Sequence, residues 1–264
     1  MTSSGAEPAA LARVRRRLEA GGRGWLFLDY DGTLVPIAPA PDEARPDAAL
    51  LALLSGLGAD PRLRVAVLSG RSLASLQTML PVPGLVLAGT YGLEVQIAGI
   101  REEAQAGAAA LRPVIARVKQ AWAGLIGERA GFIVEDKGLA VALHARWAAP
   151  ADAGWVLPRA RALLEPVEAA APVRVLGGER FLELAPAMAH KGQAVEWLAR
   201  RLPWPRAEMA YFGDDDKDEE AFAVVRRLGG VPIAVGPRQH RVGALGWLPS
   251  PDAVRRWLAS LLAR

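Results

Sequence analysis

Short apolar runs recur along the chain at Leu26 to Leu28, Val65 to Leu68, Leu85 to Ala88, Met209 to Phe212 and Pro232 to Val235. Each is too short for a helix and is bounded by turn or charged residues, the pattern of a strand buried on both faces. Between them the apolar positions take helical spacing, which predicts helices over Asp47 to Leu57, Leu73 to Met79, Gly192 to Arg201, Asp218 to Arg227 and Asp252 to Leu262. Strands alternating with helices predict an α/β fold, a doubly wound parallel sheet covered on both faces.

Between about Ala106 and Pro186 the rhythm changes. A helix (Ala109 to Leu125) is followed by two strands (Phe132 to Glu135, Ala140 to Arg146), a second helix (Ala153 to Ala169) and two more strands (Val173 to Leu176, Arg180 to Leu184). Hairpin-connected strands backed by two helices predict an antiparallel α+β domain inserted into the core. The expected organisation is core over 1–105, insertion over 106–186 and core again over 187–264, joined by short hinges near Ala106 and Pro186. Residues 1–10 read as a loose tail. Leu11 to Ala20 read as an amphipathic helix with Arg13, Arg15, Arg16 and Arg17 on its wet side.

With 264 residues, 52% of them hydrophobic, the chain can bury a full core without staples. It has no cysteine, which excludes disulfides, thiolate metal sites and a cysteine nucleophile. No segment has the apolar length of a membrane span, and the basic stretch near the start is not followed by the apolar run of a signal peptide. A cytoplasmic protein with no membrane partner is expected. The net charge of +4 and pI near 9.8 come from scattered arginines without aromatic interleaving, so nucleic acid is not an expected partner. Lysine occurs only at 119, 137, 191 and 217, which singles out positions where a compact point charge is wanted.

Four segments carry candidate chemistry. Trp25-Leu-Phe-Leu-Asp29-Tyr-Asp31-Gly-Thr-Leu34 drives a buried strand into two carboxylates. Asp-x-Asp-Gly also makes ordinary turns, but in open α/β sheets ligands bind where the strands end. The pair therefore suggests a nucleophile, an acid/base partner or a hard-metal site. Val65-Ala-Val-Leu-Ser69-Gly70-Arg71 ends a second strand in a hydroxyl and free backbone amides, suited to phosphate, unless Ser69 merely caps the next helix. Lys191, opening a helix after His190, is placed to pair with Asp29 and neutralise a transferring phosphoryl group, whereas His190 reads as structural. Gly213-Asp214-Asp215-Asp216-Lys217-Asp218 follows a fourth strand, and such crowded carboxylates favour an oxygen-bound cation, Mg²⁺ above others.

Taken together and in this order, Asp29-Tyr-Asp-Gly-Thr33, Ser69-Gly-Arg71, Lys191 and Gly213-Asp-Asp-x-x-Asp218 resemble the haloacid dehalogenase superfamily of phosphotransferases, and the insertion resembles its type C2 cap. The resemblance covers nearly the whole chain from Gly24 onward and implies a Rossmann-like core. Within the superfamily the chain is most similar to the trehalose-6-phosphate phosphatases. That resemblance implies an enzyme hydrolysing a small-molecule sugar phosphate through an aspartyl-phosphate, with Mg²⁺ as cofactor. It implies Asp29 as nucleophile and Asp31 as general acid/base. The metal would be held by Asp29, the backbone carbonyl of Asp31 and Asp214, with Asp215 reaching it through water. Ser69, Gly70 and Lys191 would hold the phosphoryl oxygens, with Asp218 orienting Lys191. Arg71, Glu135, Lys137, Arg146 and Glu183 would grip the substrate, although period-two alternation on strands would also place the last four as solvent-facing charge. A monomer is expected. Two departures bear on substrate choice: Gly89-Thr-Tyr91-Gly92 stands where the family has Gly-x-His-Gly, with Tyr91 expected at the entrance between cap and core, and Lys217 stands where it has Thr. Other readings are a phosphatase for sucrose phosphate or mannosylphosphoglycerate, a phosphomutase, or a silent sugar-phosphate-binding module.

Overall fold

The computed structural model describes residues 7–103, 107–178, 180–236 and 242–263. These fall into two compact units, one formed by Met1–Ala104 with His190–Arg264 and the other by Gln105–Ala189.

The first unit is built on strands β1 (Gly24–Leu28), β2 (Leu63–Leu68), β3 (Leu85–Gly89), β4 (Glu94–Ile97) and β5 (Ile100–Glu103). After the second unit come β10 (Glu208–Gly213), β11 (Val231–Val235) and β12 (Gly246–Leu248). They form one sheet in the order β12-β11-β10-β1-β2-β3-β4-β5, parallel from β12 to β3. Alternate residues of each strand feed opposite layers. Leu26, Leu28, Val65, Val67, Phe212 and Ile233 pack under helices α1 (Ala9–Glu19), α2 (Ala48–Ala59), α3 (Leu73–Met79) and α9 (Pro251–Ser260). Trp25, Phe27, Ala66, Leu68 and Tyr211 face α7 (Lys191–Arg201) and α8 (Asp216–Arg227). Two covered faces explain why the strands read as unbroken apolar runs.

Three features were not anticipated. The last two strands of one edge, β4 and β5, run antiparallel and are joined by Ala98 and Gly99, whose φ angles of 49° and 80° are those of a two-residue hairpin turn. The three-residue β12 closes the other edge. The expected loose tail over 1–10 is corrected at its end: α1 starts at Ala9, and Glu7 accepts hydrogen bonds from Arg15 and from Trp257 Nε1 at 2.7 Å. Residues 1–6 lie outside the described residues, as does the expected hinge at Ala106. Leu11, Val14 and Leu18 form the buried stripe of α1, opposite the arginines.

The second unit contains α4 (Arg112–Ile126), β6 (Ile133–Asp136), β7 (Val141–His144), α5 (Pro150–Ala162), α6 (Glu165–Ala170), β8 (Val173–Gly178) and β9 (Phe181–Pro186). Its antiparallel sheet has the order β6-β7-β9-β8. Val141, Leu143, Leu182 and Leu184 pack on one face against Trp122 of α4 and Val156 and Ala160 of α5. The single helix expected over Ala153 to Ala169 is broken instead, because Pro166 has no N–H for the carbonyl four residues back and its ring opposes a continuous helix.

Candidate active site

The site is built at the carboxyl ends of adjacent parallel strands. β1 pairs with β10 through to Leu28↔Phe212, and the next residue, Asp29, donates its N–H to Phe212 O at 2.9 Å. Asp29 therefore arrives beside Asp214, one residue beyond β10. Tyr30, between the two motif acids, turns into the core, where its hydroxyl donates to Ala44 O at 2.9 Å and burial pushes its pKa up to about 12. It anchors the loop and leaves Asp29 and Asp31 at the sheet edge. Gly32, at φ 82°, has no alternative, since a Cβ there would sit 2.0 Å from Asp214 Oδ2.

Lys191, 2% exposed, lies at the centre. Its Nζ donates to Asp29 Oδ1 at 2.8 Å and to Asp218 Oδ1 at 2.6 Å. Asp218 is fully committed: Oδ1 also accepts from Tyr211 OH at 2.7 Å, and Oδ2 accepts from the N–H groups of Asp214 (2.9 Å) and Asp215 (3.1 Å). It therefore orients both Lys191 and the acidic turn. Asp215 caps α8, its Oδ1 accepting from the N–H groups of Lys217 and Asp218 in a reciprocal capping box. Lys217 Nζ lies 2.5 Å from Asp216 and 3.4 Å from Asp215, so this departure adds a cation against the helix-capping acid.

Carboxylate oxygens of Asp29, Asp214 and Asp218 come within 4.8 Å of one another. Burial, reinforced by Asp218, Asp214 and Asp215 and opposed by Lys191, raises Asp29 well above the carboxylate range. Burial, with Asp218 and Asp215, lifts Asp214 to about 7. Lys191 is raised in turn: burial works against its charge, but Asp218 and Asp29 outweigh that. One lysine does not offset this much buried negative charge, and an all-oxygen donor set of this kind fits a hard divalent cation. Since Asp218 is already saturated, Asp29 and Asp214 are the carboxylates left to hold it. Asp215, expected to reach the metal through water, uses Oδ1 as the helix cap.

At the end of β2, Ser69 does not cap α3: Ser72 does, accepting from Ser75 N at 3.2 Å. Ser69 Oγ instead accepts from Arg71 N at 3.2 Å within a buried loop. Arg71, expected at the substrate, donates from Nε and Nη2 to the two oxygens of Asp31, both at 2.7 Å. His190 caps α7 through Nδ1, accepting from Gln193 N at 3.3 Å, in line with its structural reading.

The remaining expected residues lie in the second unit. Glu135 and Glu183 stand in one row across β6, β7 and β9, through Glu135↔Ala142↔Glu183. Glu183 is fully buried and accepts from Lys137 Nζ at 2.9 Å, so solvent-facing alternation does not describe this pair. Glu135 Oε2 lies 2.9 Å from His144 Nε2, and Arg146 is exposed two residues beyond β7. Sequence reasoning missed His144 and Tyr211. Period-two spacing within β7 puts His144 on the face of Ala142 and hence of Glu135, so that one signal was available.

The family profile described as Trehalose-phosphatase matches residues 27–243. The chain is 37% identical over 222 residues to the trehalose-phosphate phosphatase of Mycobacterium avium (strain 104), covering 82% of this chain and 55% of that one. It is 33% identical over 242 residues to the probable trehalose-phosphate phosphatase of Sinorhizobium fredii (strain NBRC 101917 / NGR234), covering 89% and 86%. It thus spans about half the length of several of the curated relatives it matches. Among solved structures, that of Aspergillus fumigatus trehalose-6-phosphate phosphatase superposes with a TM-score of 0.66 at 27% identity, covering 98% of this chain and 99% of that one.

Proposed function

Since this chain belongs to the trehalose-phosphatase family, we propose that it hydrolyses trehalose 6-phosphate to trehalose and inorganic phosphate. The observation that carries the reading is the buried bridge from Asp29 through Lys191 to Asp218, set beside Asp214 at the sheet edge. A group that only bound a phosphate would not need a buried carboxylate aimed at the same place.

Asp29 attacks phosphorus, forming an aspartyl-phosphate while the bond to the sugar oxygen breaks. Asp31 gives that oxygen its proton and then takes one from the water that cleaves the acyl phosphate, releasing phosphate and restoring Asp29. Arg71 donates to both oxygens of Asp31 in the resting geometry, which leaves each oxygen a further lone pair to take a proton. Lys191 holds charge on a phosphoryl oxygen, and Asp218 keeps its ammonium in place. Ser69 and Gly70 supply the opposite wall. Asp29 and Asp214 would hold Mg²⁺, which would supply positive charge against the acids and the phosphoryl group. The second compact unit serves as the cap, with Glu183, Lys137, Glu135 and Arg146 as its sugar contacts. Among the described residues no helix is long and apolar enough to cross a membrane.

Phosphate release from trehalose 6-phosphate is the test, run beside a panel of other sugar phosphates and a small aryl phosphate. Asp29→Asn abolishes turnover while the circular dichroism spectrum persists; full activity in that variant overturns the assignment. Glu183→Ala lowers sugar-phosphate hydrolysis far more than aryl-phosphate hydrolysis, and equal losses would rule out a sugar contact there. Preference for another sugar phosphate would displace trehalose 6-phosphate as the substrate.

A further inference from the structure

β3 ends in a turn of unusual backbone. Thr90, Tyr91 and Gly92 have φ angles of 48°, 57° and 91°, three left-handed residues in a row, only one of them glycine. A β-branched residue there is a steric outlier, and such conformations persist only where the surroundings over-determine them. The Thr90 hydroxyl is buried with no hydrogen-bond partner among the described residues, so none of them holds the turn through that side chain. The backbone holds it. Thr90 N donates to Arg71 O at 2.7 Å and Tyr91 N to Ser69 O at 2.9 Å, which pins both ends of the Ser69-Gly70-Arg71 loop.

The Tyr91 side chain completes the clamp. It is 6% exposed, and its ring lies on Gly70 so closely that a Cβ on Gly70 would be 2.8 Å from both Cζ and the hydroxyl. On its other side the turn meets α7: a Cβ on Gly92 would be 2.1 Å from the Cβ of Ala194, one helical turn from Lys191. The turn therefore touches the loop that carries Ser69 and the helix that opens with Lys191, the two walls proposed to face the phosphoryl group.

We infer that Tyr91 is a positioning residue: braced by the left-handed turn, its ring sets the Ser69-Gly70 backbone at the right distance from Lys191 to receive a phosphoryl group. The inference rests on the proposed phosphatase reading for its substrate. It is independent of the sugar, because the group positioned is common to every phosphomonoester.

The test uses Tyr91→Phe, Tyr91→Gly, Gly70→Ala and the double variant Gly70→Ala/Tyr91→Gly. It reads hydrolysis of trehalose 6-phosphate and of p-nitrophenyl phosphate, inhibition by inorganic phosphate, and thermal midpoint. Glycine suits φ 57°, so Tyr91→Gly removes the ring without straining the turn. Tyr91→Gly is expected to lower kcat/KM by roughly 10- to 100-fold on both substrates alike, the scale of an ångström of misplacement, and to weaken inhibition by inorganic phosphate. Tyr91→Phe restores both. Gly70→Ala alone is damaging because its methyl meets the ring, and in the double variant it adds little to the Tyr91→Gly loss. Wild-type kinetics and phosphate inhibition in Tyr91→Gly, or losses that multiply in the double variant, overturn the inference. So does a wild-type protein that neither hydrolyses the aryl phosphate nor responds to inorganic phosphate. If only trehalose 6-phosphate fails as substrate while the aryl-phosphate pattern holds, the substrate reading falls and the positioning role stands.

Discussion

Lys191→Met tests the electrostatics of the site without any assumption about its substrate. The ammonium is buried with Asp29 and Asp218, whose side chains are 6% and 0% exposed, at 2.8 and 2.6 Å. Removing it leaves buried acids facing one another, and breaking a buried pair from one side costs about 3–5 kcal/mol. For a unit of this size, at about 2–4 °C per kcal/mol, the melting midpoint falls by roughly 6–20 °C. Lys119, paired at 2.8 Å with Asp136 but with side chains 44% and 47% exposed, is the control, and its loss costs under about 1 kcal/mol because solvent screens the pair. The pH dependence has a definite sign. Asp29 and Asp218 have raised pKa values, so the cost of ionising them sets in as pH rises above the ordinary 3.8 and is absent below it. Lys191 is raised above 10.5, so the stability it contributes is fully present below that pH and is lost only above it. The deficit of Lys191→Met is therefore largest near pH 8 and shrinks as pH falls toward 4. Urea unfolding followed by circular dichroism, in chelator so that only the chain's own charges act, measures it. A deficit as small as that of Lys119→Met, or one equal at pH 5 and pH 8, would refute the reasoning.

Three further outcomes follow from the same geometry. Gly32→Ala, whose methyl would meet Asp214 Oδ2 at 2.0 Å, should abolish Mg²⁺ binding in calorimetry while the circular dichroism spectrum is kept. Asp214, lifted to about 7, holds a proton below that pH which a cation must displace, so apparent Mg²⁺ affinity measured by calorimetry should rise between pH 6 and 8, and an affinity that stays flat over that range would refute it. Gly124 in α4 and Gly154 in α5 are exposed, and a methyl added at either would have no neighbour within 4 Å, so Gly→Ala at each should stabilise the second unit against urea by roughly 0.5–1 kcal/mol.

Asp29, Asp214 and Lys191 were legible in the sequence because acids placed directly after a strand buried on both faces have nowhere to go but the sheet edge, and a lone lysine amid arginines marks a specific charge. The strands between helices were legible for the same reason, since complete burial leaves no polar position inside them. The pairing of Arg71 with Asp31 was not legible, because the two lie 40 residues apart and the contact depends on the β1–β2 register rather than on any local pattern. Ser69 and Ser72 are both hydroxyls just ahead of α3, and only the chain path decides that Ser72 is the cap. The β4–β5 hairpin escaped notice because its turn is Ala98-Gly99 instead of Asn-Gly, so alanine takes a left-handed position that composition does not advertise. Pro166 was visible, but a proline in an apolar periodic stretch can kink a helix or end it; here α5 ends and α6 begins.

The order of strands explains why residues so far apart in sequence act together. β1 pairs with β2 on one side and β10 on the other, so chain order reverses across it, with β2 and β3 leading away in one direction and β10 and β11 in the other. At such a point the connections diverge and leave a crevice above the strand ends. Asp29 at β1, Ser69 at β2, Thr90 and Tyr91 at β3 and Asp214 at β10 are successive stations along that edge, and α7 brings Lys191 to it from the face it shares with α8. Asp29, Asp214 and Asp218 crowd one buried ammonium, and burial with that crowding raises the pKa of all three. Ionised together, they would repel a phosphate. The phosphatase reading therefore calls on two things the sequence places separately: carboxylate oxygens on the β10 side that would hold a divalent cation, and a neutral, backbone-lined wall on the β2–β3 side, against which a turn held by its own backbone packs a tyrosine ring.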